Sequence, residues 1–495
     1  MSQSQLPRRS APTRDTLASV RVDGGRVSIH PADTHGRFTL WRRLAAVGLI
    51  AIYVLLPWIP VRGHPAVFLD VAHLRFHFFG LTFAAQDLWL GFFVLTGMAF
   101  GLFYLTALFG RLWCGWACPQ TVFLEHVYRR VERWIEGDAQ ERRQLDKGAW
   151  TQVKVLKRGL KLAIFALISF GIAHVLLAYF VSVPQLWSMM TRAPGEHWGV
   201  FLFVCVVTGM LFVNYTWFRE QLCIILCPYG RLQSALIDDD SVTIGYDEIR
   251  GEPRGKAHHG PTAMPAPVGA GEAGSAKVGD CIDCFKCVHV CPTGIDIRQG
   301  LQLECIGCAN CIDACDDVMT RLGRPRGLIR YDSLNGLAGR ARRIFRPRII
   351  LYSILLVAGA TAAAFSAARY APMNMSAVRM VGAPYFVDAD SVRNQFNVRV
   401  VNKQTESATY ALDVTPVAGA PEGLRWTGWE GGVLVAPGAE ELRPLILLVP
   451  RANYAGKFRL RLIVSDALGQ ATVEREIEFI GPDPRLLKAH AAPAP

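Results

Sequence analysis

Eight cysteines between positions 281 and 315 form two runs with the same spacing. The runs read CIDCFKCVHVC and CIGCANCIDAC, so each is Cys-x2-Cys-x2-Cys-x3-Cys. Bacterial ferredoxins with two [4Fe–4S] clusters use this spacing, and there the fourth cysteine of each run binds the other run's cluster. The spacing therefore predicts one cluster on Cys281, Cys284, Cys287 and Cys315, and a second on Cys291, Cys305, Cys308 and Cys311.

Zinc is the alternative ligand for these runs, because Cys-x2-Cys pairs also build tetrahedral zinc sites. Zinc sites rarely use four cysteines at this spacing, and rarely in two tandem runs. One position departs from the ferredoxin pattern: Pro292 follows Cys291 as expected, but Asp316 follows Cys315 where a proline is usual. The departure removes no ligand, and we expect two iron–sulfur clusters.

A second set of cysteines forms a repeated motif, Cys-x3-Cys-Pro. On a helix, four-residue spacing places both thiols on one face, and the following proline ends or kinks the helix. Soft thiolates select Cu(I), zinc or an iron–sulfur centre. The pattern leaves open copper, a further cluster, or small buried residues at helix ends. The four candidate residues are Cys114, Cys118, Cys223 and Cys227.

The remaining cysteine and the isolated histidines are expected to be structural. Cys205 and His174 lie within apolar stretches, and His289 lies inside the first cysteine run. His258 and His259 lie in a linker at 251–279 that is rich in Gly, Pro and Ala. An intramembrane histidine carries some functional weight, so His174 is kept as a candidate of second rank.

Composition points to a membrane protein. The chain has 495 residues, about half of them apolar, and all 13 cysteines lie between positions 114 and 315. Cysteines grouped in metal-type spacings favour a reducing compartment for this region. The net charge of +12 could indicate nucleic-acid binding. The basic residues instead flank apolar stretches, so we expect a lipid bilayer as partner and no nucleic acid.

Five apolar stretches are each about long enough to cross a bilayer. They lie at 44–60, 88–109, 162–183, 200–218 and 349–367. They define a four-helix membrane region at 44–250 and a fifth transmembrane helix at 345–368. Lys and Arg crowd the segment 111–161 and the approach to the fifth stretch. Because cytoplasmic loops are rich in Lys and Arg, we expect the tail 1–43 and the ferredoxin-like domain 280–335 in the cytoplasm, and the C-terminal domain in the periplasm of a bacterial inner membrane.

The segment 375–485 changes its period. Apolar and polar residues alternate around Phe396, Tyr410, Phe458 and Val473, with turn signals between these stretches. Several short alternating strands within about 100 residues are typical of an immunoglobulin-like β-sandwich. The fold class predicted is therefore a multidomain membrane protein with about five transmembrane α-helices, a bacterial-type 2[4Fe–4S] ferredoxin insert and a C-terminal sandwich.

The whole order of motifs resembles the CcoG/FixG/Rdx family over about residues 40–480. The resemblance is carried by the two Cys-x3-Cys-Pro segments, CIDCFKCVHVCPTGIDIRQGLQLECIGCANCIDACD, RPRGLIRYDS at 324–333 and VVNK at 400–403. It implies an accessory protein in assembly of cbb3-type cytochrome c oxidase, with assembly factors or subunits of that oxidase as partners. It also implies a cupric reductase whose electrons reach copper at Cys114, Cys118, Cys223 and Cys227. The spacing itself predicts cluster ligation and does not predict copper.

The sequence does not identify the electron donor. Two other functions remain open. One is a membrane conduit that carries electrons from a quinol to the clusters. The other is a non-catalytic scaffold whose sandwich binds oxidase subunits during assembly.

Overall fold

The structure is a computed structural model. It describes residues 27–489 except 62, 73, 85–87, 256–278, 369–371, 405, 418–420 and 468–471, so His258, His259 and most of the predicted linker lie outside the described residues. The chain forms two compact units, Met1–Trp58 with Phe93–Ala360, and Ile59–Phe92 with Thr361–Pro495. We describe each unit by itself.

The α-helices are α1 Arg37–Leu55, α2 Leu88–Phe109, α3 Leu112–Trp116, α4 Pro119–Phe123, α5 Arg129–Glu136, α6 Ala139–Lys147, α7 Gln152–Leu177, α8 Val183–Met190, α9 Trp198–Val213, α10 Pro228–Leu236, α11 Glu248–Gly251, α12 Lys286–His289, α13 Asn310–Arg321, α14 Leu334–Leu337, α15 Pro347–Ala368 and α16 Pro484–Ala489. Wider π-helical turns occupy Leu124–Tyr128, Asn214–Phe218 and Leu222–Leu226. Short 3-10 turns occupy Leu56–Trp58, Pro194–His197 and Ile297–Gln299.

The strands are β1 Pro60–Val61, β2 His64–Pro65, β3 Val67–Asp70, β4 Arg75–Phe78, β5 Leu81–Ala84, β6 Thr243–Tyr246, β7 Ile329–Asp332, β8 Met373–Arg379, β9 Phe386–Val387, β10 Ser391–Asn402, β11 Ala408–Pro416, β12 Arg425–Thr427, β13 Val433–Val435, β14 Glu440–Pro450, β15 Phe458–Asp466 and β16 Thr472–Phe479. All of the paired strands run antiparallel. Strands β1 to β5 lie in a segment that the sequence pattern had predicted only as a loop.

Within the residues that the structure describes, five helical segments are long and apolar enough to cross a membrane, as the sequence predicted. They are Arg37–Trp58, Gly91–Phe109, Gln152–Leu177, Pro194–Phe218 and Pro347–Ser366. The first begins seven positions before the predicted Leu44, because a distant carboxylate caps its start. Asp313 accepts hydrogen bonds from the backbone N–H of Phe38 at 3.2 Å and of Thr39 at 2.7 Å. An acidic group at a helix N-terminus satisfies free N–H groups and complements the helix dipole.

The cysteine-rich domain contains one strand pair that joins segments on both sides of the 251–279 linker. Strand β6 pairs with β7, with Thr243 opposite Asp332 and Tyr246 opposite Ile329. Ile244 and Ile329 from this pair are buried in the same apolar core as Met319 of α13. Residues before the linker therefore contribute to the domain that the sequence placed after it.

The C-terminal segment forms two packed sheets, which confirms the predicted immunoglobulin-like architecture. One sheet has the order β12-β14-β10-β8, with β9 on the edge of β10, and the other has β13-β11-β15-β16. The alternation predicted from the sequence places Val398 and Leu462 in the core between them, and Leu445 of β14 is buried there as well. Asn402 fixes one end of the core, since its amide accepts from the Tyr410 hydroxyl at 2.9 Å and donates to Val435 O at 3.0 Å.

A buried cluster of ionised side chains holds the helices around α5 together. Glu132 lies 2.6 Å from Arg219 and 3.7 Å from Lys161, and Glu136 lies 2.9 Å from Lys161. All four residues are less than a tenth exposed. Burial alone would raise the pKa of Glu132, but the charges of Arg219 and Lys161 outweigh it and lower the pKa to about 2.

The Glu132→Gln variant tests this cluster. Removing one partner leaves buried cations uncompensated, so we expect a loss of about 3–5 kcal/mol in the free energy of unfolding. Because the folded-state pKa of Glu132 is lowered, its contribution is present above pH ~4.5 and is lost as the pH falls towards 2. The acid dependence of unfolding should therefore be weaker in the variant, which denaturant titration of the detergent-solubilised protein would measure. Glu196→Gln, which removes an exposed pair with Arg192, should change the free energy by less than ~1 kcal/mol.

Candidate functional site: two cysteine cavities and a thiol quartet

Each ferredoxin-type run wraps its thiols in a loop followed by a helix. Phe285 and Ala309 both take left-handed backbone conformations, with φ of 57° and 62°, immediately before α12 and α13. These turns aim the early cysteines of each run and the cysteines of the following helix towards the same interior. Helix α13 continues through Asp316 to Arg321. A proline at position 316 would interrupt it, which gives a physical reason for the departure from the ferredoxin pattern.

The structure brings the eight cysteines together in two groups of four. One cavity is lined by Cys281, Cys284, Cys287 and Cys315, and the other by Cys291, Cys305, Cys308 and Cys311, with Cys287 also reaching the second. In both groups the last cysteine of one run lies with the first three of the other run. The remaining lining is mostly apolar, with Ile295 and Ile297 at one cavity and Val318 and Leu328 at the other, where Lys286 and Arg298 also lie.

Seven of the eight cysteines in these cavities are buried or half-buried, and Cys284 is exposed. Burial raises the pKa of Cys308 to about 11 and of Cys305 to about 12, so both are neutral thiols when nothing is bound. All 13 cysteines of the chain are free of disulfides. A bound cationic iron centre would supply the positive charge that stabilises them as thiolates.

No three His, Cys, Asp or Glu side chains in the described part of the chain converge closely enough to hold a single metal ion. Four thiols that share a cavity without converging on one point suit a cluster, in which each thiolate binds a different iron atom. The donor set and the spacing of the two cavities therefore fit [4Fe–4S] clusters better than zinc.

The two Cys-x3-Cys-Pro segments break their helices at the second cysteine. Cys118 precedes α4 and Cys227 precedes α10, each as the N-cap residue with the following proline in the first helical position. Proline is favoured there because its missing N–H would have no partner. Cys114 lies in α3 and Cys223 in a π-helical turn. The spacing alone suggests that the two cysteines of each pair lie on one helix. In the structure they lie on either side of a helix break.

The four thiols of the repeat form a third group, hereafter the thiol quartet (Cys114, Cys118, Cys223 and Cys227). Burial, with smaller contributions from the other quartet thiols Cys118, Cys114 and Cys227, raises the pKa of Cys223 to about 12. Buried Gln233 donates to the sulfur of Cys114 at 3.2 Å. A side chain at Gly230 would overlap the carbonyl oxygen of Cys223 at 2.5 Å, so the close turn after Cys227 requires glycine.

Backbone segments of the thiol quartet and of the second cysteine run are in direct contact. A Cβ atom at Gly115 would lie 2.6 Å from the carbonyl oxygen of Ile306 and 3.0 Å from the Cα atom of Cys308. A Cβ atom at Gly307 would lie 3.1 Å from the carbonyl oxygen of Arg111. We call this contact, between Arg111–Gly115 and Ile306–Cys308, the glycine contact.

Three side chains fasten the glycine contact. Buried Arg42 donates to the carbonyl oxygen of Gly115 at 3.0 Å and to Asn310 Oδ1 at 2.6 Å. The Tyr331 hydroxyl donates to the carbonyl oxygen of Gly307 at 2.6 Å and lies 3.2 Å from the indole nitrogen of Trp116. Sequence analysis singled out none of these residues, because their partners are distant in the chain. The Trp-Cys-Gly-Trp motif was the one available signal.

Neither cysteine cavity is lined by Cys205, His174 or His289. Cys205 is exposed on α9. His174 bonds the carbonyl oxygen of Phe170 in its own helix at 2.8 Å. His289 accepts at its backbone oxygen from Ala32 N at 2.8 Å.

Comparison with known proteins identifies relatives of this chain. The chain is 37% identical to protein RdxA of Cereibacter sphaeroides over 447 residues, which cover 86% of this chain and 90% of RdxA. The chain belongs to the FixG/Rdx family. Nitrogen fixation protein FixG of Rhizobium meliloti is 34% identical over 489 residues, covering 89% of this chain and 91% of FixG. The family resemblance predicted from the motifs is thereby confirmed.

Three family models match successive parts of this FixG/Rdx chain. A 4Fe-4S dicluster domain matches residues 218–334, a 4Fe-4S binding domain matches 90–137, and the Ig-like fold at the C-terminus of FixG matches 363–482. The ferredoxin-type protein NapH of Haemophilus influenzae is 24% identical, covering 56% of this chain and 87% of NapH. A crystal structure of a FixG-related protein from Vibrio parahaemolyticus is 25% identical, with a TM-score of 0.20, and covers 22% of this chain and 97% of that chain.

The Gly115→Ala variant tests the glycine contact. The new methyl group would overlap backbone atoms that cannot rotate away, so we expect a loss of about 1–3 kcal/mol in stability, the usual cost of overpacking. Visible cluster absorbance and the thermal unfolding midpoint should both fall. Gly171→Ala is the matched control, since a methyl group there meets open space. Equal behaviour of the two variants would show that the two segments do not need this contact.

Proposed function

We propose that this FixG/Rdx membrane iron–sulfur protein reduces Cu(II) to Cu(I) at the thiol quartet, as part of the assembly of a cbb3-type oxidase. The observation that carries the proposal is the glycine contact. Through it, the backbone next to Cys114 touches the backbone next to Cys308. This contact supports the proposal because it brings the thiol quartet next to a cavity whose donors fit an iron–sulfur cluster.

We assign the first cluster to Cys281, Cys284, Cys287 and Cys315, and the second to Cys291, Cys305, Cys308 and Cys311. When bound, the clusters supply one electron at a time, which is the number that each Cu(II) needs. Apolar side chains, among them Ile295, Ile297 and Val318, limit the access of water to the cavities. A bound cluster would therefore be favoured in the oxidation state that carries less charge.

The thiol quartet supplies soft donors for copper as a substrate. No three of its sulfurs converge on one point in the structure, so at most two of them would bind one copper ion at a time. Thiolates prefer Cu(I), so binding by Cys114 and its neighbours favours the reduced ion. Gln233 fixes the sulfur of Cys114 through its amide N–H. Each turnover adds one electron to one Cu(II) and leaves the thiols unchanged, and the Cu(I) formed passes to an acceptor.

We propose an orientation of the protein in the membrane from the distribution of Lys and Arg along the sequence. Lys and Arg concentrate between the second and third spans and before the fifth. By the positive-inside rule these segments face the cytoplasm, with the cysteine groups, and five crossings leave the sandwich in the periplasm. This orientation supplies electrons in the reducing compartment and presents the sandwich to oxidase subunits and assembly factors.

Replacing Cys114 and Cys118 together by serine tests the copper step. We expect Cu(II) reduction to fall at least tenfold, because two of four soft ligands are lost, while absorbance from the two ferredoxin-type clusters persists. The assay is anaerobic: dithionite-reduced protein receives Cu(II) with a Cu(I) chelator present, and cluster reoxidation is compared with Cu(I) formed. Cys205→Ser is the control. Undiminished reduction by the double variant would remove the thiol quartet from the reaction.

A further cluster at the thiol quartet is the second candidate. It is favoured by the 4Fe-4S binding domain model, which covers both Cys114 and Cys118. Iron and sulfide analysis separates the two. Our proposal expects about eight irons per chain, unchanged in the Cys114/Cys118 double variant, whereas a third cluster would give about twelve and fall to about eight in that variant.

A quinol conduit is supported by a cavity between α7 and α9. Its volume is about 570 Å³, and apolar side chains line it together with His174, His197 and Arg192. This size is typical of ligand pockets. However, His174 lies 22 residues along α7 from Gln152, roughly 33 Å at 1.5 Å per residue. That depth places it towards the far end of the span from the basic 111–161 segment, so we rank it below copper reduction.

A further inference from the structure

A cationic cavity lies beside the start of the first span. Its volume is about 60 Å³, and six arginines line it: Arg42, Arg43, Arg129, Arg130, Arg133 and Arg142. Two of the arginines lie on α1, three on α5 and one on α6. Helix α1 is distant in sequence from the other two. Asn310, the first residue of α13, lines the same cavity. We call it the arginine cavity.

The acidic residues at the arginine cavity do not balance these charges. Asp33 pairs with Arg133 at 2.5 Å, and Glu125 pairs with Arg129. Arg142 lies 3.6 Å from Glu132. Among the residues that the structure describes, no carboxylate lies within ion-pair distance of Arg42, Arg43 or Arg130. Burial and the charge of Arg42 lower the pKa of His126, which also lines the cavity, to about 4, so this histidine is neutral at pH 7.

Three guanidinium N–H groups at the arginine cavity are buried without a hydrogen-bond acceptor. They are Arg42 Nη2, Arg43 Nε and Arg129 Nε. Arg42 and Arg129 are 3% and 5% exposed, so these groups have little access to bulk water. A buried cation with unsatisfied donors is costly, and such groups are rarely left without a partner. Asp33 and Glu125 line the cavity but leave these three N–H groups without an acceptor.

We propose that the arginine cavity binds a phosphate-type oxyanion through Arg42, Arg43 and Arg130. Guanidinium groups present planar pairs of N–H donors that match the oxygens of a phosphate, which a spherical anion such as chloride cannot match. A cavity of about 60 Å³ exceeds the space of a single water molecule and suits one such group.

Two sources could supply this chemistry. The cavity lies beside the start of the first span. Basic pockets between transmembrane helices near the membrane surface bind the headgroups of anionic lipids. A free phosphate or a phosphate ester in solution offers the same oxygens. Because Arg42 also holds Gly115 and Asn310, the bound anion would neutralise charge beside the glycine contact.

Binding to the full-length, detergent-solubilised protein tests the proposal. Inorganic phosphate is titrated against sodium chloride of equal ionic strength, and the thermal unfolding midpoint is recorded. We expect phosphate to raise the midpoint of the wild type, and the Arg43→Gln/Arg130→Gln double variant to require at least tenfold more phosphate for the same rise. The control Arg143→Gln removes one positive charge from an exposed position outside the cavity and should behave like the wild type. The single variant Arg43→Gln, which also removes one charge, is its charge-matched counterpart inside the cavity.

A second arm identifies the source. The same proteins are placed in nanodiscs of phosphatidylcholine alone or with phosphatidylglycerol. Stabilisation by phosphatidylglycerol that the double variant loses, without an effect of free phosphate, identifies a lipid headgroup. An effect of free phosphate that the double variant loses identifies a soluble anion.

The proposal is wrong if neither ligand stabilises the wild type, or if Arg143→Gln loses the response as fully as the double variant. The single variant Arg43→Gln, checked for normal cluster absorbance, replaces the double variant if the latter fails to fold.

Discussion

The close approach of two backbone segments at Gly115 and Gly307 is the constraint on which the rest of the metal-binding unit depends. At these two positions the absence of a side chain lets main-chain atoms touch. Contacts between main chains cannot be adjusted by a change of rotamer, so the thiol quartet and the second cysteine cavity keep one fixed relation. Arg42 and Tyr331 then add hydrogen bonds across the same surface. Such rigidity favours electron transfer, because the rate depends on the distance between donor and acceptor and this contact keeps that distance constant.

The parts of this protein that the sequence predicted are those fixed by an external template. The inorganic core of a cluster dictates ligand spacing, and the structure groups Cys315 with the first run and Cys291 with the second. The thickness of a bilayer dictates the length of an apolar helix, and all five predicted spans are helical. The pleat of a strand dictates alternation, which located Val398 and Leu462 in the sandwich core.

The parts that the sequence did not predict are held by partners far away in the chain. Strand β6 is only four residues long and finds its partner β7 more than 80 positions later. Lys161, Arg142 and Arg219 count as exposed flanking charges in the sequence, yet they are buried against Glu132. Cys118 and Cys227 cap new helices rather than ending old ones, because each following proline starts a helix. Local composition contains none of these pairings.

The carboxylate of Asp313 at the start of the first span has a consequence for biosynthesis. Thr39 and Asp313 are separated by 274 positions, so translation inserts the first helix, and three more spans, before its capping group exists. Domains generally fold as their segments emerge from the ribosome, but this helix can complete its first turn only after the second cysteine run is synthesised. The earliest segment to enter the bilayer is thus among the last to gain its final hydrogen bonds, and those bonds tie it to the second cysteine run.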